Sequence, residues 1–382
     1  MKQTEKIILF FILVFFFLSL TLFFPRHDTP IYRLFDTSPL TEGFDDASLP
    51  GIDSVLPERE NLPLSQYVIK ASYLSAFDGT TMSLDQLRFV LQRGCRFLDL
   101  EIFPTSDNIP YLGYSIDPTF TIVKGIDPNP DKLIYFDKAL STIAANCFSS
   151  LSPNPKDPLF IHLRIKSRNR ALYEHITQII QNKVSAKLYK DAQGKLKSVH
   201  KDTLLKDIMG KIIFVMDHTI DPKYNLLLGC DTSGNDVLDG SGNELLPCLK
   251  NVVNIQSGGT QWRTIEYNPP DKNAELGKCG MSAPVLDETK KDMAVVKADD
   301  SPINLFYVAP PIRSQFENPD PLSVGIYISE FTCQTIPFMF FKDDMNLNTY
   351  EKLFQTYHTA FVPMGYAVSH IRQNNDGNGT RI

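Results

Sequence analysis

A chain of 382 residues with 43% apolar and 21% charged content can bury a large core, which excludes an intrinsically disordered protein. A formal charge of −6, with no run of five or more lysines and arginines, excludes nucleic acid as the expected partner.

Residues 1–6 form a short polar flank, and Ile7 to Phe24 follow as an apolar run whose only polar members are Ser19 and Thr21. At about 1.5 Å rise per residue this run spans most of a roughly 30 Å hydrocarbon layer, so 7–24 reads as a single transmembrane anchor. A cleaved signal peptide is the competing reading, but the run ends Leu22-Phe23-Phe24-Pro25-Arg26 with no small-residue cleavage site. Lys2 and Lys6 precede it and Arg26 and Arg33 follow. With the amino terminus added, the count leans toward an internal N-terminus and an external or lumenal body. Residues 25–60 are proline-rich, and the eight acids and three arginines of 26–60 leave too little apolar surface to offset ordering entropy, so they read as a disordered tether.

From residue 61 strands and helices alternate. Residues 67–72, "YVIKAS", read as a strand; Ser83 caps the helix "LDQLRFVLQR", which Gly94 stops; "CRFLDLEIF", 95–103, is the next strand. A helix near 131–147, the strand "PLFIHLRIK", a helix from Asn169 to about Ile180 and the strand "KIIFVMD" complete residues 61–220. Such β-α alternation favours a parallel sheet, open or closed. Residues 221–300, rich in Gly, Asn, Asp and Lys, read as insertions and loops. In 301–372, strands are expected at "SVGIYISE", "TIPFMFF" and "GYAVSHI", with a helix near 347–360; 373–382 is a polar tail.

Two strands carry one apolar and one charged face. Asp99 and Glu101 alternate with Leu98, Leu100 and Ile102, while His162, Arg164 and Lys166 alternate with Ile161, Leu163 and Ile165. In a barrel ringed by helices the charged faces point into the lumen, where isolated charges are prohibitive, so acid on one strand should meet base on the other or a metal. Solvated sheet edges are the alternative for either strand alone.

These segments resemble the catalytic region of the phosphoinositide-specific phospholipase C family. "LPLSQYVIKASYLSAFDG" is similar to its "PLxxYxIxxSHNxYL" strand and "RGCRFLDLEIF" to "RGCRxxELDxW". "DPLFIHLRIKS", "LKDIMGKIIFV", "SQFENPDP", "FTCQTIPFMFF" and "MGYAVSHI" follow in the family's order to about residue 372. The resemblance implies a distorted (β/α)8 TIM barrel of the phospholipase C-like phosphodiesterase type, with an X-like half over 61–220, a Y-like half over 301–372 and the site at the C-terminal ends of the strands.

The same resemblance marks what is missing. The family cleaves a phosphodiester with two histidines and a calcium ion or arginine that offsets phosphate charge. Its histidine positions fall on Tyr73 and Leu112, within Tyr111-Leu112-Gly113-Tyr114-Ser115, and its calcium positions on Leu74, Asp99, Glu101 and Arg164. An arginine beside two carboxylates favours a charge-paired cluster over a divalent ion, so no cofactor is expected, with calcium only if the site is active. The residual site is therefore Asp99, Glu101, Arg164, Tyr73, Tyr114 and His162. Tyr73 and Tyr114 could donate to a phosphate but are poor bases near neutral pH; His162 reads as a satisfied core residue, and His218 and His370 have no motif support.

The expected protein is thus membrane-anchored, phospholipase C-like and catalytically inactive, serving a structural role or binding a phosphoinositide headgroup or a protein. An active phosphatidylinositol-type phosphodiesterase with a rearranged site is the alternative. The six cysteines form no CxxC pair, which disfavours zinc, and Cys230, Cys248 and Cys279 could include a disulfide if the body lies outside the cytosol.

Overall fold

The computed structural model describes residues 51–117, 120–127, 129–217, 248–258, 261–266, 305–309 and 317–377. The apolar run 7–24, most of the tether, His218, Cys230, Cys279 and the end of the polar tail lie outside the described residues. Among those described, no helix is long and apolar enough to cross a membrane.

Three strands form the centre: β3 (Phe97–Pro104), β5 (Leu159–Ile165) and β6 (Ile212–Asp217), all parallel. Nearly every residue in them is buried, as expected where helices cover one face and a lumen closes the other. On one side β3 pairs in parallel with β2 (Ala71–Ser72), and its end turns back into an antiparallel partner, β4 (Pro110–Leu112). On the other side the sheet continues through β7 (Ile255–Ser257), β8 (Trp262–Glu266) and β9 (Leu305–Ala309), again parallel. Below β2, β1 (Tyr67–Ile69) pairs antiparallel with β10 (Phe361–Pro363). Phe97, Phe160 and Trp262 meet edge-on inside the curl, with ring centroids 5.6 and 5.9 Å apart, and close its lower part.

The helices are cut by local chemistry. The Ser83 hydroxyl accepts from the Asp85 and Gln86 amides and starts α1 (Leu84–Gln92), which buries Leu87, Val90 and Leu91. Gly94 ends it with φ of +79°, and a Cβ there would lie 3.0 Å from Ile52, so the position needs glycine twice over. Next, α2 (Phe136–Cys147) buries Phe136, Ala139, Leu140 and Ile143. The Asn169 side chain accepts from the Ala171 amide and opens α3 (Arg170–Val184), which lays Leu172, Ile176 and Ile180 on the sheet. Each such fully buried side chain contributes about 1.5–3 kcal/mol.

Several expectations change here. The distorted (β/α)8 barrel is met in a coarser form, a barrel-type curled parallel sheet or half-barrel, whose hydrogen-bonded path ends at β9 among the described residues. "SVGIYISE" lies in a helix, α4 (Pro321–Ser329), because Asp320 accepts from the Ser323 amide at 2.9 Å and Pro321 opens the first turn. Its apolar run suits a helix buried on most sides as well as a strand. The helix expected near 347–360 is α5 (Met345–Tyr357), capped by Asp344. "GYAVSHI" is also helical, in α6 (Met364–Gly377); the strand is the preceding Phe361–Pro363. "TIPFMFF" runs beside β1 and β2 but pairs only at Thr335 and Phe338, because Pro337 between them has no amide to donate. Residues 221–300, expected as loops, contribute β7 and β8.

The last ten residues of the 25–60 segment pack on the body. Ile52 and Val55 are buried, the Val55 amide donates to Asp157 at 2.8 Å, and the His358 ring meets the Gly51 carbonyl at 2.7 Å. This strap lies at the N-terminal ends of the strands.

Candidate functional site

Strand register builds the site. In the β3–β5 ladder Asp99 is opposite His162 and Glu101 is opposite Arg164, so two acids and two bases share the lumen face at successive levels. All four are buried.

Asp99 accepts four hydrogen bonds. Its Oδ1 takes Arg164 Nε at 2.8 Å and His162 Nδ1 at 2.8 Å; its Oδ2 takes Arg164 Nη2 at 2.7 Å and the Leu74 amide at 3.2 Å. An ionised carboxylate has about four lone-pair positions, and all are used. Burial alone would push this carboxyl up, but the facing Arg164 and His162 outweigh it and hold Asp99 well below the usual carboxylate range. Leu74 reaches Asp99 from a left-handed backbone, φ 44°, an uncommon conformation for leucine.

Glu101 occupies the level above. Its Oε2 lies 3.1 Å from Arg164 Nη1, its Oε1 lies 3.6 Å from Lys166 Nζ, and Oε1 accepts the Ser115 amide at 3.3 Å. Arg164 therefore clamps both acids with one planar fork, and Lys166 adds a second cation. Tyr73 covers the clamp, with the Arg164 guanidinium 4.9 Å from its ring centroid. Burial pushes the Tyr73 hydroxyl up to about 12 against the pull of Arg164, so it can donate but is no base near neutral pH. Lys166 sits 4.3 Å over the Phe120 ring, and burial lowers its ammonium pKa despite the attraction of Glu101.

Below the clamp His162 continues inward, its Nε2 2.7 Å from Ser257 Oγ, and Ser257 also reaches the Met216 carbonyl at 3.3 Å. The series carboxylate, imidazole, hydroxyl is complete, but the serine is 1% exposed and closes the polar core rather than lining the mouth.

Asp99, Glu101, Arg164, His162 and Tyr73 thus come together. Leu112 is buried in β4 opposite Ile102, and Tyr114 packs edge-on against Phe77 at 5.0 Å on the neighbouring loop. His370 lies on α6, 6.0 Å from the Tyr357 ring. Lys166 stands out in the sequence by its alternation with Arg164, whereas Ser257, ending a three-residue strand, carries no signal at all. Among the described residues no group of three or more His, Cys, Asp or Glu is arranged to hold a metal ion. Cys248 is disulfide-bonded, and Cys95, Cys147 and Cys333 are buried.

Comparison places this geometry. The model of the phosphatidylinositol-specific phospholipase C X domain matches residues 60–217. Among solved structures, S. officinalis PLC21 is similar over 80% of this chain and 37% of its own, with 16% identity and a TM-score of 0.51. L. pealei PLC21 is similar over the same shares, 80% and 37%, at 15% identity and a TM-score of 0.49. A calcium-dependent phosphoinositol-specific phospholipase C from Pseudomonas sp is similar over 83% of this chain and 99% of its own, at 12% identity and a TM-score of 0.45. This chain spans 37% of the length of each PLC21 structure, and the likeness at 16% identity is one of fold. No curated protein matches the chain significantly. The five site residues Tyr73, Asp99, Glu101, His162 and Arg164 all fall within residues 60–217, the part of the chain that matches the phosphatidylinositol-specific phospholipase C X-domain model.

Proposed function

We propose that this is a membrane-anchored phospholipase C-like protein that does not turn over phosphodiesters, and that its clamped mouth serves a structural or binding role. The observation that carries this reading is the saturation of Asp99: Arg164, His162 and the Leu74 amide fill its acceptor positions. Calcium takes six to eight oxygen ligands, whereas here both acids already face protein cations, and the residues present do not fit that ion.

The chain also lacks imidazoles where the family resemblance puts them. Tyr73 cannot take a proton near neutral pH, and Leu112 cannot take one at any pH. A phosphate or a phosphoinositide headgroup could still be met by Tyr73, Arg164 and Lys166, each partly committed to its neighbours. An N-terminal anchor is supported by the apolar run 7–24, and an external or lumenal body by the charge count around it and by the Cys248 disulfide.

The test is a phosphodiesterase assay of the full chain on phosphatidylinositol and its phosphates, with and without calcium. No turnover above the protein-free blank is expected. Turnover that Glu101→Gln abolishes would overturn the proposal and favour a working enzyme with a rearranged site.

A further inference from the structure

The end of the molecule opposite the mouth carries a charge feature of its own. Residues 183–197 hold Lys183, Lys187, Lys190, Lys195 and Lys197 against one acid, Asp191, in a chain whose formal charge is −6. All five lysines are exposed. Asp191 does not neutralise them outward: its Oδ1 accepts from the Gln193 and Lys195 amides at 3.0 and 2.8 Å and closes its own turn.

The arm is held in place. Leu188 bridges to Ile212, the first residue of β6; Lys190 bridges to Leu196; and the Val199 amide donates to the Asn254 carbonyl just before β7 at 2.9 Å. These contacts put the lysines at the N-terminal ends of the strands. The strap of residues 51–60 sits at that same end, tied through Val55 to Asp157 just before β5. The site lies at the other end: nine residues along the strand separate Asp157 from Lys166, about 30 Å at strand rise. The strap, the turn before β5 and the segment beyond the arm add acids to this end, Asp53, Glu58, Glu60, Asp202 and Asp207, along with the bases Arg59, Lys156, Lys201, Lys206 and Lys211. The excess of positive charge is therefore concentrated on the arm.

We propose that the lysine arm 183–197 is a contact face for an anionic bilayer, which turns the N-terminal end of the half-barrel toward the membrane and opens the mouth away from it. Charge complementarity names the partner: exposed lysines are attracted by anionic headgroups within a Debye length of the surface. A lipid surface is favoured over an acidic protein because Gly51, the first described residue, lies at this end, and the sequence places an apolar run with 26 residues between it and Gly51. That tether would keep the arm at high effective concentration near a bilayer. The orientation rests on the anchor reading above; the lipid affinity of the arm does not. One consequence concerns the site: a ligand of this mouth comes from solution or an apposed surface, not from the lipid beneath the body.

Two experiments on the full chain separate these claims. In nanodiscs containing about one-third anionic lipid, a fluorophore on Gln193→Cys should be quenched by headgroup-spin-labelled lipid, and one on Asp107→Cys, beside the mouth, should not. Replacing Lys183, Lys190 and Lys195 by Glu should abolish the quenching at Gln193→Cys. Quenching at Asp107→Cys instead, or equal quenching at Gln193→Cys with purely zwitterionic lipid, would overturn the proposal. If the chain does not enter nanodiscs, the anchor reading and the orientation fail together. Flotation with anionic vesicles then tests the arm alone, with about tenfold or greater loss of binding expected for the triple substitution. Vesicle binding unchanged by that substitution would sink the lipid claim and leave an acidic protein as the partner.

Discussion

Arg164 does what a divalent ion would otherwise do between Asp99 and Glu101, and it does so without leaving an acceptor open on Asp99. Removing one partner of such a buried set leaves an uncompensated charge, so Arg164→Glu is expected to cost about 3–5 kcal/mol in metal-free buffer. Added calcium should restore part of that loss, read as a rise in Tm that the native chain does not show; an unchanged metal-free Tm would count against the clamp. The acid limb of stability follows from the same residue. Because Asp99 is held below its unfolded value of 3.8, its contribution is present above about pH 4 and lost as pH falls further. Asp157 has the opposite sign. Burial raises it from 3.8 to about 6, so the folded state binds more protons between those values and stability declines as pH rises through that window. Asp157→Asn keeps an acceptor for the Val55 amide and should stabilise the protein by up to about 3 kcal/mol above pH 6 and hardly at all near pH 4, by urea melts at the two pH values. A stability gain that is the same at both would reject the titration argument.

Elements differ in how far their sequences determine them. The strands holding the site were legible because period-two alternation of charge and apolar residues continued through "FLDLEIF" and "LFIHLRIK", and α1 because Ser83 and Gly94 bracket it. The alternation also implied that Asp99, Glu101, Arg164 and His162 share the lumen, although their pairing needed the register. By contrast "SVGIYISE" has no decisive period, and only the Asp320-Pro321 start distinguishes its helix. Ser257 gives no signal in the sequence because its strand is three residues long, too short to show a period. A second buried ionic set shows the same limit. Lys70 on the lower turn of the sheet meets Glu351 of α5 at 2.8 Å and the Arg93 carbonyl at 2.6 Å, and Arg93 bonds Glu351 as well. These residues lie far apart in sequence, and no local pattern joins them. Glu351→Gln leaves Lys70 buried with half its compensation and is expected to cost about 3–5 kcal/mol, measured by denaturant melts. A loss below about 1 kcal/mol would mean that Lys70 is satisfied by the Arg93 carbonyl and the Phe340 and Phe354 rings alone.

At the scale of the molecule, the half-barrel separates two ends with different chemistry. The upper end keeps an acid pair neutralised by its own cations; the lower end holds the buried Lys70–Glu351 set, the strap and the lysine arm. The match to the X-domain model covers the two strands on which the acids and their cations stand. Calorimetric titration of calcium into the native full chain tests this account most directly. It predicts no saturable heat, because no acceptor on Asp99 is free to meet the ion. Stoichiometric binding that Glu101→Gln removes would contradict it.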